Sequence, residues 1–262
     1  MELIGYAAAI LVGVVLGLLG GGGSILSIPI LVYLFGVEPV VASAYSLFVV
    51  GITSLVGAIP KYREHLVNLK TGIYFGLPSI VSIFTTRKWL VPALPDIIWQ
   101  TEPFTITKRT LLLGVFAVLM VFAAVPMIRG KREVASENKQ FSVWLVIIEG
   151  TLIGFLTGLV GAGGGFLIIP ALVFFTGLPF KTAVGTSLFI IAINSLAGFA
   201  GDLLNYSMDW ALLLTVSLLA IIGIFVGNRL SRQISGLKLR KWLGWFTLII
   251  ALYILGREVF WG

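Results

Sequence analysis

Eight apolar stretches dominate this chain, covering roughly residues 3–35, 38–60, 68–85, 108–128, 143–176, 180–201, 208–228 and 241–261. Several reach the roughly 20 residues that a helix needs to cross the hydrocarbon core of a bilayer. Composition removes the soluble alternative: 58% of the residues are hydrophobic, 11% are charged, and the mean hydropathy is +1.08. A water-exposed domain carries about a quarter charged residues. The surface must therefore face lipid, where helices satisfy their own backbone groups. The expectation is an all-α integral membrane protein, multi-pass, in a bacterial or archaeal plasma membrane.

Several chemistries are excluded at once. There is no cysteine, so disulfides, thiolate metal sites and cysteine redox reactions are ruled out. His65 is the single histidine, which leaves no histidine metal site, and no cofactor is implied. The formal charge of +7 fits basic cytoplasmic loops rather than a nucleic-acid partner. Met1-Glu2-Leu3 lacks the basic region of a signal peptide, so the first apolar stretch is expected to be retained.

The chain repeats itself. Shifted by 141 positions, Gly17–Ala58 falls on Gly158–Phe199 without a gap, and 19 of the 42 positions are identical. GLLGGGGSILSIPILVYLFG stands over GLVGAGGGFLIIPALVFFTG, ASAYSLF over AVGTSLF, and ITSLVG over INSLAG. The expected organisation is a first transmembrane repeat over 1–130, a charged cytoplasmic linker over 131–141, and a second repeat over 142–262. Transporters are commonly built this way, with substrate held near the midplane where the halves meet.

Loop charge then selects a topology. If every apolar stretch crosses once, lysine and arginine divide about eight to ten between the two faces, which is no bias. Stretches 3–35 and 143–176 are, however, too long for one simple span and carry glycine clusters in their middles. Treated as re-entrant hairpins, they give each half three further crossings and opposite orientations. One face then collects Lys61, Arg63, Lys70, Arg129, Lys131, Arg132, Lys139, Lys181, Arg229, Arg232, Lys238, Arg240 and Lys241. The other keeps Arg87, Lys88, Lys108, Arg109 and Arg257. Thirteen against five is a positive-inside pattern. The expected fold is two inverted repeats, each a broken, re-entrant helical hairpin plus three transmembrane helices, with both termini outside. Trp89–Gln100 has no counterpart in the second half and reads as an interfacial segment.

The hairpins carry the candidate site. A second half-helix starting just after each glycine cluster, near Ser24 and near Gly165, directs unpartnered N–H groups and a positive dipole end toward the midplane. That arrangement suits a small oxyanion. The candidate binding residues are Gly20, Gly21, Gly22, Gly23 and Ser24, with Gly161, Gly163, Gly164 and Gly165 in the second copy. The next helix of each half adds Tyr45, Ser46, Thr53 and Ser54, then Thr186, Ser187, Asn194 and Ser195. Ser46 and Thr53, like Ser187 and Asn194, are seven apart and share a helix face. Gly13–Gly17, Gly154–Gly158 and Gly223–Gly227 are spaced for helix packing instead. Neither glycine cluster continues into a nucleotide-binding loop.

Ionisable groups at membrane depth are few. Glu149 is open to two readings: a carrier of a coupled proton, or a residue at the cytoplasmic headgroup level. Asp202 and Asp209 bound a short outer loop and are expected to be solvated, as is His65. No lysine or arginine is expected at the midplane, so backbone dipoles would hold the anion.

GGGGSILSIP and GAGGGFLIIP, with AVGTSLF after the second, resemble the sulfite exporter TauE/SafE family of membrane permeases over essentially the whole chain. The resemblance implies transport of sulfite, a sulfonate such as sulfoacetate, or a related sulfur oxyanion. The chain departs from a strict repeat at Ala44-Tyr45-Ser46 against Gly185-Thr186-Ser187, where the bulk of Tyr45 is expected to reshape the site. The leading expectation is a secondary transporter whose partners are a small anion, the bilayer, and protons or another coupling ion. The alternatives are an anion channel, or a transporter of a different small oxyanion or carboxylate. An intramembrane enzyme would need paired carboxylates or a serine–histidine or serine–lysine dyad at depth, and none is found. A scaffold gains nothing from helices unwound at the midplane. None of these features sets the oligomeric state.

Overall fold

The computed structural model describes residues 2–95, 97–101, 104–129, 143–160 and 164–260. The linker expected over 131–141 lies outside the described residues. The helices are α1 (Glu2–Leu19), α2 (Gly22–Tyr33), α3 (Pro39–Arg63), α4 (Leu69–Thr85), a three-residue α5 (Val91–Ala93), α6 (Lys108–Arg129), α7 (Val143–Val160), α8 (Gly165–Phe175), α9 (Phe180–Asp202), α10 (Trp210–Gln233) and α11 (Gly236–Phe260). Six of them are long and apolar enough to cross a membrane, and α1, α2 and α8 are shorter apolar helices. The protein is an all-α, multi-pass membrane protein with one small addition.

That addition overlaps the stretch expected to be interfacial, Trp89–Gln100, and extends beyond it to Thr107. After α4 the helix widens into a π-helical turn over Thr86–Leu90, passes through α5, and gives way to strands β1 (Ile97–Thr101) and β2 (Phe104–Thr107). The strands pair antiparallel, with Trp99 opposite Ile106. Ile-Ile-Trp and Phe-Thr-Ile-Thr are β-branched and aromatic runs too short to show a helical period, which is why they pair. Trp89 is exposed.

The two apolar hairpins turn back on themselves. A Cβ on Gly23 would meet Val12 and Leu16 of α1, and one on Gly5 would meet the ring of Phe35, just beyond α2. Tyr6 packs edge-on against the same ring, centroids 5.4 Å apart. The second hairpin starts and finishes at the other end of the molecule. Gly150, Gly154 and Gly158 of α7 pack in turn on Phe75, Ser79 and Ile83 of α4, so these two helices run parallel. The tail of α8 returns to Arg240, which stacks on Phe174.

The molecule thus has a basic end and an opposite end. At the basic end Lys61 donates to Ser231, Arg232 pairs with Glu64, and Arg240 donates to the Pro126 carbonyl. At the opposite end Arg87 meets Ser43 and Asp202, and Lys108 donates to the Leu94 carbonyl. The positive-inside rule assigns the basic end to the cytoplasm.

Helix pairing follows the sequence repeat with partners exchanged. α1 packs along α10, and its repeat mate α7 packs along α4. The small-residue spacings make both contacts: Gly13 and Gly17 lie on Ala220, Ile224 and Gly227, where a side chain would strike backbone. α3 and α9 are repeat mates that pack on each other antiparallel, with Leu47 near Gly198, Gly51 on Leu196, and Lys61 beside Gly185. α6 and α11 also pair antiparallel, Gly244 lying on Met127 and Ile128. Caps are duplicated too: Asn68 accepts from the Thr71 N–H at the start of α4, and Asp209 accepts from the Leu212 N–H at the start of α10.

Candidate functional site

The two helix breaks meet inside the protein. Gly20 closes α1 at φ +72°, and Gly164 opens α8 at φ +68°; both are left-handed conformations that other residues rarely adopt. Gly21 and Gly164 cap α2 and α8 without offering a side-chain acceptor to the first N–H groups. A Cβ on Gly21 would strike the backbone of Gly165, and one on Gly165 would strike Gly21. Glycine is therefore required here for the contact between breaks as well as for the bends. Gly22 and Gly23 form the first turn of α2, where Gly23 lies against α1. Ser24 donates to the Gly21 carbonyl at 2.6 Å. Gly161 and Gly163 lie outside the described residues.

Beside the breaks, α3 and α9 carry a line of buried hydroxyls. Ser46, Thr53, Ser54 and Ser195 are fully buried, and their hydroxyls find no hydrogen-bond partner among the described residues. Native interiors rarely leave such groups unmet. Asn194 donates to Ser79 of α4 at 2.6 Å, while its carbonyl oxygen has no partner there. Ser187 donates to the carbonyl of Val184 in its own helix, and its oxygen lies beside Gly20.

These groups do not converge on one point. The antiparallel register of α3 and α9 sets Thr53 and Asn194 near the crossing. Ser187 lies toward the basic end and Ser46 toward the opposite end, about 20 Å apart at 1.5 Å per residue. The breaks and hydroxyls together form a polar line through the molecule.

Tyr45 and Thr186 are engaged elsewhere. The Tyr45 hydroxyl accepts from the Asp209 N–H at 2.7 Å, and the Thr186 hydroxyl accepts from the Asn68 N–H at 2.9 Å. Both are repeat mates that meet the cap residue of a helix in the other half. Their recurrence reflects this duplicated contact, so the bulk of Tyr45 sits at a helix end.

The charges also need correction. Asp202 is fully buried rather than solvated, and it pairs with an equally buried Arg87 at 3.2 Å. Lys61 is buried as well, donating to Ser231 at 2.8 Å. Fixed cations therefore lie inside the protein near both ends of the polar line. Both count as loop charges in the sequence, on opposite faces, because each stands within a turn or so of a helix end. Glu149 is buried against its neighbours on α7, while Asp209 and His65 are exposed as expected.

Comparison with known proteins decides the class. The model of the family described as sulfite exporter TauE/SafE matches residues 5–254. The chain belongs to the sulfite exporter TauE/SafE family. A probable membrane transporter protein of Xylella fastidiosa is 30% identical over 259 residues, covering 95% of this chain and 92% of that protein. A probable membrane transporter protein of Bacillus subtilis, YunE, is 28% identical over 241 residues, 86% of this chain and 85% of that one. One from Methanocaldococcus jannaschii is 27% identical over 266 residues, 94% of each. The protein is thus a member of a family of membrane transporters.

One further candidate residue of this TauE/SafE chain is not visible in its repeat. Thr157 of α7 is buried, its hydroxyl has no partner among the described residues, and a Cβ on Gly164 would strike it. Its repeat mate is Leu16, so a search for recurring polar positions passes it over. A cavity of about 640 Å³ lined by Val81, Thr85, Trp89, Leu90 and Phe155 is mostly apolar and open to the surface. Its hydroxyls, on Ser82, Thr85, Thr86 and Thr151, are all spent on backbone carbonyls, unlike those of the polar line.

Proposed function

We propose that this protein is a secondary transporter of a small sulfur-containing oxyanion, sulfite or an organosulfonate. The anion passes along the polar line and is held at the midplane where the two helix breaks meet. The observation that carries this reading is the contact of Gly21 with Gly165. Two uncapped helix starts approach each other beside a line of buried hydroxyls that have no partner among the described residues. Helix starts favour anions, and orphan hydroxyls favour an oxygen-rich guest. Ser46, Thr53 and Thr157 supply unspent hydroxyls and Asn194 its second amide hydrogen, while Ser187 joins them by turning its hydroxyl away from the Val184 carbonyl. In this reading the segments 1–130 and 142–262 are inverted repeats about an axis through the α3/α9 crossing. Support comes from the antiparallel packing of these two repeat mates. Rocking of one half against the other would then expose the line alternately to each face. Glu149 is the proposed group for proton coupling.

The test is uptake of radiolabelled sulfite, sulfoacetate and sulfate by proteoliposomes of the purified protein, with and without a pH gradient. Protein-dependent uptake of one sulfur anion, competed by its relatives and saturating with concentration, is expected. Uptake that is linear in concentration and steeply voltage-dependent would replace the transporter by a channel. No uptake of any of the three would remove the sulfur substrate.

A further inference from the structure

Arg87 is the largest fully buried side chain in the described protein, and its hydrogen bonding is half made. Its Nη1 donates to Ser43 Oγ at 2.8 Å and to Asp202 Oδ2 at 3.2 Å. Its Nε and Nη2 find no acceptor among the described residues, and Asp202 Oδ1 finds no donor. Those two nitrogens form the side-on edge of the guanidinium, where two parallel N–H groups match two oxygens of one oxyanion. An ion pair kept only for packing would fill that fork with its own carboxylate. Here Asp202 meets a single nitrogen and leaves the better edge without a partner among the described residues.

Three further observations place this edge on the proposed route. Arg87 lies in the π-helical turn Thr86–Leu90, a local widening of a kind often found at functional sites. Its partner Ser43 stands three residues before Ser46 on the same face of α3, and the Ser46 hydroxyl is one of the orphans. Ser43 also lines a small cavity with Val40, Leu113 and Val160, the last described residue before the second break. The arrangement is absent from the other half, where the repeat mates of Arg87 and Asp202 are Asn228 and Lys61.

We infer that the open fork of Arg87 is an anion-binding site at the end opposite the basic one, taking the transported oxyanion between Ser46 and the outside. This rests on the transport reading above. Asp202 competes for the same guanidinium, so the anion is held and then released. A passage needs that balance of binding and escape.

The experiment uses the full-length protein in detergent and in proteoliposomes, with sulfite as the probe. Sulfite binding is measured by calorimetry and uptake by tracer. Arg87→Lys keeps the charge and removes the fork; it should raise the half-saturating concentration about tenfold or more. Asp202→Asn removes the competitor and should lower it. The charge-neutral pair Arg87→Met with Asp202→Leu leaves no lone buried charge. It keeps the question answerable if Arg87→Lys does not fold, and it should lose affinity to the same extent. Wild-type saturation left unchanged in Arg87→Lys, or in the double variant, would mean that the fork holds only water, and the inference would fall. A folded wild type that neither binds nor carries sulfite, sulfoacetate or sulfate would remove the sulfur substrate, and this site with it.

Discussion

The two ends of the α3/α9 pair descend from one duplicated element, yet they hold opposite electrical arrangements. Near the C-terminus of α9, Asp202 is fully buried against Arg87 of the π-helical turn after α4, and the two charges cancel. The repeat mates near the C-terminus of α3 are Lys61 and, on α10, Asn228. Lys61 is almost as deeply buried but donates to the Ser231 hydroxyl, and no carboxylate lies within salt-bridge distance among the described residues. Glu64, one turn away, is taken by Arg232. A duplicated scaffold has therefore become polar along its length. An anion moving along the hydroxyl line meets an unneutralised ammonium at one end and a guanidinium already shared with a carboxylate at the other.

The largest expected effect breaks this comparison directly. Asp202→Ala strands a buried guanidinium and should cost about 3–5 kcal/mol, whereas Lys61→Met breaks no ion pair and should be neutral or stabilising. Thermal unfolding of the detergent-solubilised variants measures both. Equal losses would show that the two ends are held alike. The next effect concerns the contact between breaks. Gly21→Ala and Gly165→Ala force a Cβ into the facing backbone and should cost about 1–3 kcal/mol, with loss of anion uptake. Gly36 and Gly177 are also left-handed, at φ +68° and +71°, but have nothing within 4 Å of an added Cβ. Gly36→Ala and Gly177→Ala should cost about 1–2 kcal/mol from conformation alone and keep uptake. If uptake falls in all four variants, backbone bending in general is needed, and the meeting of the breaks is not the special feature.

Much of the fold could be read from the residues, because each signal had one dominant physical cause. Apolar length forces helices, glycine clusters interrupt them, and the bias of lysine and arginine orients the ends. The structure sorts Lys61, Arg232 and Arg240 to one end and Arg87 and Lys108 to the other. What stayed hidden depends on contacts between the halves. Arg87 counts as a loop charge until the π-helical turn and α9 are seen to enclose it. Tyr45 and Thr186 satisfy the recurrence rule, yet what recurs is a contact with a cap residue across the molecule. Thr157 fails the same rule because Leu16 stands in the other copy. Its proximity to Gly164 exists only once the hairpin closes.

A smaller effect tests the reassignment of Tyr45. Tyr45→Phe removes the acceptor of the Asp209 N–H and should cost about 1 kcal/mol, without changing the half-saturating concentration for anion uptake. A clear rise in that concentration would return Tyr45 to the binding site.

The smallest effect on stability falls at the centre, where Thr53 and Asn194 are repeat mates with different commitments. Asn194 donates to Ser79, whose own repeat mate is Ala220, so Thr53 has no equivalent partner. Ser79→Ala should therefore cost about 0.6 kcal/mol, the usual worth of such a bond between membrane helices. Thr53→Val keeps the shape and removes a buried hydroxyl with nothing to bond among the described residues. Its stability should stay within about 0.5 kcal/mol of the wild type or rise slightly. Anion uptake should nevertheless fall, because that hydroxyl is one of those left for the substrate. A variant that loses a kilocalorie or more and transports normally would show that Thr53 serves packing. The midplane donors would then be reduced to the two helix starts and Asn194.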